Sequence, residues 1–350
     1  MLAEQTDRGD EMFMVMLERH CQMVLDLDAI GVLPTSIPQE PLKPIPEDEG
    51  RHAPGSEANW NESWYFDFVD EAQEIAGWIR LGILPNQKGN WYTAAVTRRD
   101  LPTIMVTDFQ APAVEDDLTL RSNKILATHA AEVPLSKFRI TLDGQAQACS
   151  GQTAALESVD SDDELGSRLA LDLTFDTKGT PYQYRIATRY EIPCHVTGKI
   201  TIDSENYSIE KALGQRDHSW GSRDWWSMDW IWSSIHSLDG TQDIHGLDLR
   251  IPGAPRMSIG YAQVKDASIE ELEVFSGEES MERSGAAKGM TVTIKTISGP
   301  PSKMRVQPIG HAGVRLVNAE GKVCLFERAW CRVTLESGPA VGWFEWNRNV

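Results

Sequence analysis

From about residue 60 to the C-terminus, short runs of β-branched and aromatic residues alternate with Gly, Asp, Asn and Pro. Trp91–Val96, Phe138–Leu142, Leu169–Phe175, Tyr182–Tyr190 and Gly198–Ile202 are such runs, and Met257–Val264, Met290–Ile297, Val314–Val317 and Trp330–Leu335 continue the series. Runs of this length with turn residues at their ends predict strands, and many in succession predict antiparallel barrels or sandwiches. Trp64, Phe66 and Phe68 alternate with Tyr65 and Asp67, the pattern of a strand buried on one face. Ahead of this region, Met12, Phe13, Met16, Leu17, His20, Met23, Val24 and Leu27 fall at helical spacing and predict an amphipathic helix over residues 7–29. Six prolines between Pro34 and Gly55 predict an extended connector. The expected fold class is all-β with an N-terminal helix.

Asp239-Gly240 is a two-residue hairpin signal, and placing it in the turn pairs Leu238 with Thr241. Counting outward sets His236 opposite Asp243, Ser234 opposite His245, Trp232 opposite Leu247 and Trp230 opposite Leu249 on one face. The other face pairs Asp229 with Arg250 and Ile231 with Asp248. The aromatic face, with two histidines and an acid at one end, is the candidate cavity wall.

Chemistry concentrates just upstream. Five of the twelve tryptophans lie between 220 and 232, among Arg216, Asp217, His218, Arg223 and Asp224. Charges held in aromatic surroundings need partners, so Arg216, Asp217, Arg223 and Asp224 are expected to form a network orienting His218. Asp217 and His218 are the candidate proton-transfer pair. Trp220, Trp225, Trp230 and Trp232 would hold the substrate and stabilise a cation with their ring faces. Glu62 is either an acid in an aromatic pocket or, the favoured role, the partner of Arg80 in a capping salt bridge. His129, His195 and His311 stand alone in the sequence and read as satisfied or exposed.

Composition narrows the partners. A formal charge of −19 repels phosphate backbones and anionic membrane surfaces, which argues against nucleic acid. No run reaches the roughly eighteen apolar residues needed to cross a bilayer, so no membrane insertion is expected. Five scattered cysteines without a CxxC pair suggest reduced thiols in a cytoplasmic protein. No recognised metal-ligand spacing occurs, although His236, Asp243 and His245 could share one hairpin face; neither metal nor cofactor is expected. A homodimer is compatible with the sequence.

The segment GQRDHSWGSRDWW, with NESWYFDF upstream and Gly342-Trp-Phe-Glu-Trp346 at the close, resembles the AttH-like and carotenoid-hydratase (hydroxyneurosporene synthase) group over residues 55–346. The resemblance implies two tandem lipocalin-like antiparallel β-barrels, over 56–212 and 213–350 after the N-terminal helix and Pro-rich connector of residues 1–55, with the Asp217-His-Ser-Trp-Gly221 motif in the second. It also implies a cofactor-free site in or between barrels, acting on a hydrophobic unsaturated or aromatic small molecule. His218 and Trp220 match the group's motif. Its further acid would be Asp243 or Asp248, with His245 where a tyrosine is expected. The expected function is a cofactor-independent lyase or isomerase of hydratase or cyclase type; the alternative is a carrier of a hydrophobic ligand.

Overall fold

The computed structural model describes residues 41–87, 89–152, 166–265, 267–318 and 320–350. The helix expected over residues 7–29, and Cys21, lie outside the described residues. Among those described, the one helical element is a 3-10 turn at Pro46–Glu49, where Asp48 accepts a bond from the Ile45 amide at 2.9 Å. Everything after it is strand and connection, as the period-two runs predicted.

The strands close into two rings. The first contains β1 (Trp60–Asp70), β2 (Ile75–Ile83), β3 (Asn90–Arg98), β4 (Thr103–Ala111), β7 (Lys137–Cys149), β8 (Ser167–Thr177), β10 (Arg189–Ile202) and β11 (Glu205–Ser222), shut by the β4–β7 pairing. Three further strands flank it: β5 (Thr119–Arg121) and β6 (Ile125–Val133) beyond β7, and β9 (Tyr182–Gln183) on β10. The second ring is β12 (Asp229–Ser237), β13 (Gln242–Arg250), β14 (Met257–Val264), β15 (Glu270–Met281), β16 (Ala287–Thr296), β17 (Ser302–His311), β19 (Val323–Leu335) and β20 (Gly338–Asn349), shut by β17–β19, with β18 (Val314–Val317) against β19. Full closure leaves few sheet edges, the liability of any large antiparallel sheet. This is the tandem lipocalin-like architecture the sequence led us to expect.

Each ring has its own core. Trp64, Phe66, Phe68, Phe138 and Phe175 fill the first, and Ile231, Ile235, Phe275, Phe344 and Trp346 the second. A third apolar cluster, with Tyr65, Trp78, Trp232, Trp330 and Trp343, lies in the seam between the rings. Hence β1 is buried along both faces, not one: its odd positions meet the second ring instead of water. Polar donors cross the seam at fixed points. Trp78 Nε1 donates to Ala312 O at 2.9 Å, Trp343 Nε1 to Phe68 O at 3.0 Å and Thr103 Oγ1 to His311 O at 2.7 Å.

The expected division at 212/213 falls inside β11. The motif residues 217–221 pair with β1 on one side and, up to Ser219, with β10 on the other, so they sit on the first ring; the second ring begins at Asp229. The hairpin register matches the count at every pair from Asp229↔Arg250 to His236↔Asp243. The tight turn does not form: Gly240 N bonds Ser237 O at 3.0 Å, and Thr241 N turns onto Asp239 at 3.0 Å, widening the loop without shifting its centre. No helix among the described residues is long and apolar enough to cross a membrane.

Gly198 marks a bulge in β10, where the register with β11 shifts. Its φ is +140°, and a Cβ would stand 2.0 Å from Asp172 O. Gly198→Ala should therefore cost roughly 3 kcal/mol in urea unfolding. Gly240→Ala, at φ +73° with open space, should cost only about 1 kcal/mol. Equal losses would refute the packing argument.

Candidate active site at the mouth of the first ring

Antiparallel pairing of β1 with β11 sets Trp64 opposite His218, Phe66 opposite Arg216 and Glu62 opposite Trp220. These even-numbered positions share the inner face with the first core, near the end where β1 begins and β11 finishes. The segment through the 3-10 turn crosses this end. Asp48 O meets His218 Nδ1 at 2.7 Å, and Glu49 Oε1 accepts from Arg216 Nη1 at 2.5 Å and from the Tyr190 hydroxyl at 2.8 Å. His52 follows, stacked on Trp220 with ring centres 3.7 Å apart, while Trp64 stacks on the ring of His218 at 4.3 Å.

Glu62 joins the two histidines. Its Oε1 accepts from the His52 amide at 2.9 Å, lies 2.8 Å from His52 Nδ1 and stands 3.1 Å from His218 Nε2. Glu62 and His218 are each 1% exposed. Burial pushes the Glu62 carboxyl up, but bonds from His218 and His52 outweigh it and hold the group below its usual value. Burial drives His218 down, against the pull of Glu62.

These distances impose a conflict. Both ring nitrogens of His218 face oxygen acceptors, yet a neutral imidazole has one N–H. Donation from Nδ1 to Asp48 O leaves the Nε2 lone pair against a carboxylate, so a second proton is required there. Burial disfavours the charged ring that would hold it. Geometry thus calls for a proton that desolvation resists.

Asp217 belongs to a different environment. Successive strand residues point to opposite faces, so it turns into the seam and pairs with Arg189 Nη2 at 2.7 Å. It does not orient His218; Glu62 takes that place. Beside Asp217, the Glu191 carboxylate accepts from Arg189 Nε at 2.7 Å, Gln215 Nε2 at 2.8 Å and Trp232 Nε1 at 3.2 Å. Burial raises Asp217, whereas for Glu191 the Arg189 charge overcomes burial and lowers it. His245 donates from Nδ1 to Ser233 O at 2.9 Å and accepts the Tyr184 hydroxyl on Nε2 at 2.6 Å. Burial brings this ring to about 4, so it is neutral. A histidine thus holds the position where a tyrosine was expected, and the hydroxyl it meets is that of Tyr184, from a distant segment.

The remaining sequence candidates separate. Arg216, Asp217, Arg223 and Asp224 share no hydrogen bond or ion pair, because alternate strand positions face apart and β11 ends at Ser222, although the Asp217 charge still acts on Arg223. Arg216 pairs with Glu49, and Asp224 caps the turn by accepting the Trp226 amide at 3.0 Å. Arg223 Nη2 is buried without a partner, and burial lowers the group to about 10. Trp225 lies under Arg80 at 5.1 Å, and Trp230 Nε1 donates to Glu345 at 2.6 Å, both on the seam side. Asp243 is held by His236 at 2.7 Å and by Lys178 at 2.8 Å, which already supplies a cation there. Asp248 lies in the second ring, 3.0 Å from Arg250 Nη2. The Glu62–Arg80 bridge does not form: Arg80 is on the opposite face and bonds Asn61 at 3.2 Å. His311 bonds Glu327 at 2.6 Å, but His129 is buried with neither ring nitrogen partnered.

Sequence reasoning missed Asp48, Glu49 and His52, which read as connector, and Tyr190 and Glu191 on β10. Period two alone would have grouped His218 with Arg216 and Trp220, not Asp217. Among the described residues, His52, Glu62 and His218 are the group with metal-ligand spacing, their ligand atoms all within 4.8 Å of one another. The His236, Asp243 and His245 set does not assemble, since His245 is engaged with Tyr184 and Ser233.

Two closed antiparallel rings in tandem give the chain an AttH-like tandem-barrel fold. The chain belongs to the family described as Domain of unknown function (DUF7064), whose profile matches residues 45–350. Its fold is similar to that of a protein described as AttH (NE1406) from Nitrosomonas europaea, with a TM-score of 0.60 at 13% identity over 90% of this chain and 98% of that one. It is also similar to kievitone hydratase from Nectria haematococca, TM-score 0.55 at 12% identity over 90% and 94% of the two chains. For CghA the TM-score is 0.52 at 10% identity over 86% and 94%. No curated protein sequence gives a significant match.

Asp67 supplies a pH-dependent readout of the seam. It accepts from Ser234 Oγ at 2.8 Å and Gln215 N at 3.1 Å, yet burial raises it to about 8. The folded state then binds a proton that the unfolded chain has released above about pH 4. This contribution stabilises the fold at low pH and is lost as pH rises toward 8. Asp67→Asn should therefore gain on the wild type by roughly 1 kcal/mol per pH unit between pH 5 and 8 in urea unfolding. A difference independent of pH would show that Asp67 is ionised throughout.

Proposed function

We propose that the chain is a hydratase- or cyclase-type enzyme, a lyase or isomerase in which the His218–Glu62 couple delivers a proton to a carbon–carbon double bond of an apolar small molecule. The carrying observation is the confrontation at His218: two acceptors, at 2.7 and 3.1 Å, around a ring that burial would keep neutral. The fold likeness to kievitone hydratase and CghA supports the class.

The π electrons of the substrate would take the proton shared by Nε2 and Glu62, leaving a carbocation. Trp64 and Trp220 flank that position, and their ring faces favour a cation. Capture by water, with the water proton returning to the couple, completes a hydration. Loss of a different proton to the couple gives an isomer, and attack by a second double bond gives a ring and a new cation, which in turn loses a proton to the couple. None of these steps calls for a cofactor. The Asp217–Arg189–Glu191 network on the other face of β11 would hold the strand in place and lies outside the reacting face.

With a substrate found by incubating the protein with apolar unsaturated acids and phenols, His218→Ala should lower kcat by about a thousandfold and leave ligand affinity within about tenfold. Glu62→Gln should lower kcat by roughly a hundredfold. Because the donor must be protonated, kcat/KM should fall as pH rises, with a midpoint below that of an ordinary histidine. Binding without turnover in wild type and variants alike would make the protein a carrier. Loss of activity on chelation would reassign His52, Glu62 and His218 as metal ligands.

A further inference from the structure

Arg216 is 2% exposed and makes one geometrically sound bond, from Nη1 to Glu49. Its Nε and Nη2 are buried without a well-formed hydrogen bond, with only the Cys194 thiol and the Tyr190 hydroxyl as weak polar neighbours of the guanidinium, and the second oxygen of Glu49 is likewise unpartnered. The unused pair is not an arbitrary leftover. Nε and Nη2 form one edge of the guanidinium plane, the fork whose two parallel N–H bonds match the two oxygens of a carboxylate. Burying such donors unpaired is costly, so the edge calls for an occupant.

The orphaned edge is not isolated. Arg216 lies over the Phe138 ring at 5.6 Å; Phe138 meets Phe66 at 4.8 Å, Phe66 meets His129 at 6.0 Å, and His129 stands edge-on to Tyr92 at 5.8 Å. Along this apolar path the Tyr92 hydroxyl and both His129 nitrogens are also buried and unpartnered. A row of packed rings thus separates the cationic fork at one end from hydrogen-bonding groups at the other. Glu49, the present counter-charge, comes from the crossing segment and not from the ring itself.

From this arrangement we propose that the Nε–Nη2 edge of Arg216 is a binding subsite for the carboxylate of the ligand, an apolar unsaturated monocarboxylic acid, with Glu49 as the chain's own competitor for the same guanidinium. The proposal deepens the function proposed above, since it rests on the first-ring mouth as the place where substrate sits. It adds that the acid group is read at Arg216, one inner-face position from His218.

The test uses the whole chain and two fluorescent polyenes, cis-parinaric acid and its methyl ester, which differ in the anion alone. Wild type should bind the acid at least tenfold more tightly than the ester. Arg216→Gln should abolish that preference, and Arg216→Lys, which keeps the charge without the fork, should lose most of it. Glu49→Gln should tighten the acid severalfold and leave the ester unchanged. Circular dichroism together with ester binding reports whether each variant is folded. Equal binding of acid and ester by wild type, no binding of either, or a Glu49→Gln effect common to both probes would overturn the proposal. Binding is measured without turnover, so the two readings fail separately. An acid preference with His218→Ala fully active would sink the proton donor and spare the subsite; the reverse pattern would do the opposite.

Discussion

The pairing of β1 with β11 is the constraint on which the rest of the molecule depends. Both strands are buried on both faces over most of the paired stretch, since the first core lies on one side and the second ring on the other. A single strand therefore feeds two chemically separate compartments, and the strict alternation of side chains decides which residue enters which. Glu62, Trp64, Arg216, His218 and Trp220 go inward; Tyr65, Asp67, Gln215 and Asp217 go to the seam. Neither set can be moved without moving the other.

The two compartments handle charge differently. In the seam, acids and guanidiniums meet directly, as in Arg189 with Asp217 and Glu191, and the neutral forms of Asp67 and His245 relieve what pairing does not. Such a network fixes geometry, and burial leaves Asp67 and Asp217 in it to titrate well above the ordinary carboxylate range. Pairing is incomplete in both: Arg328 and Arg223 keep unpartnered donors in the seam, while at the mouth of the first ring one imidazole confronts two acceptors and one guanidinium keeps an idle edge. Unfinished pairing of buried groups is costly for folding, and it persists where something else completes it.

Local signals in the sequence carried far. Alternation and turn residues gave the all-β class, and counting from Asp239-Gly240 gave the β12–β13 register although the loop is wider than a two-residue turn, because widening was symmetrical about the same centre. His218, Trp220, Arg216 and Glu62 were recognisable as chemistry, but their partnerships were not. Adjacency suggested Asp217 for His218, whereas a strand sets neighbours on opposite faces and brings Glu62 from 156 positions away. The acidic run after Pro46 looked like linker, since nothing in a short polar segment announces that its carbonyl and carboxylate will meet a buried histidine and arginine.

The indole donors that span the seam carry one more implication. Trp78 and Trp343 each reach across to a main-chain oxygen of the opposite ring, at Ala312 and Phe68. Hydrogen bonds from rigid bicyclic side chains are directional, so even a small slip of one ring over the other would strand two carbonyls in a dry interior. The pair acts as dowels between two drums. Sliding of one ring past the other is thereby opposed at two separate points, so the two barrels are keyed together as one block.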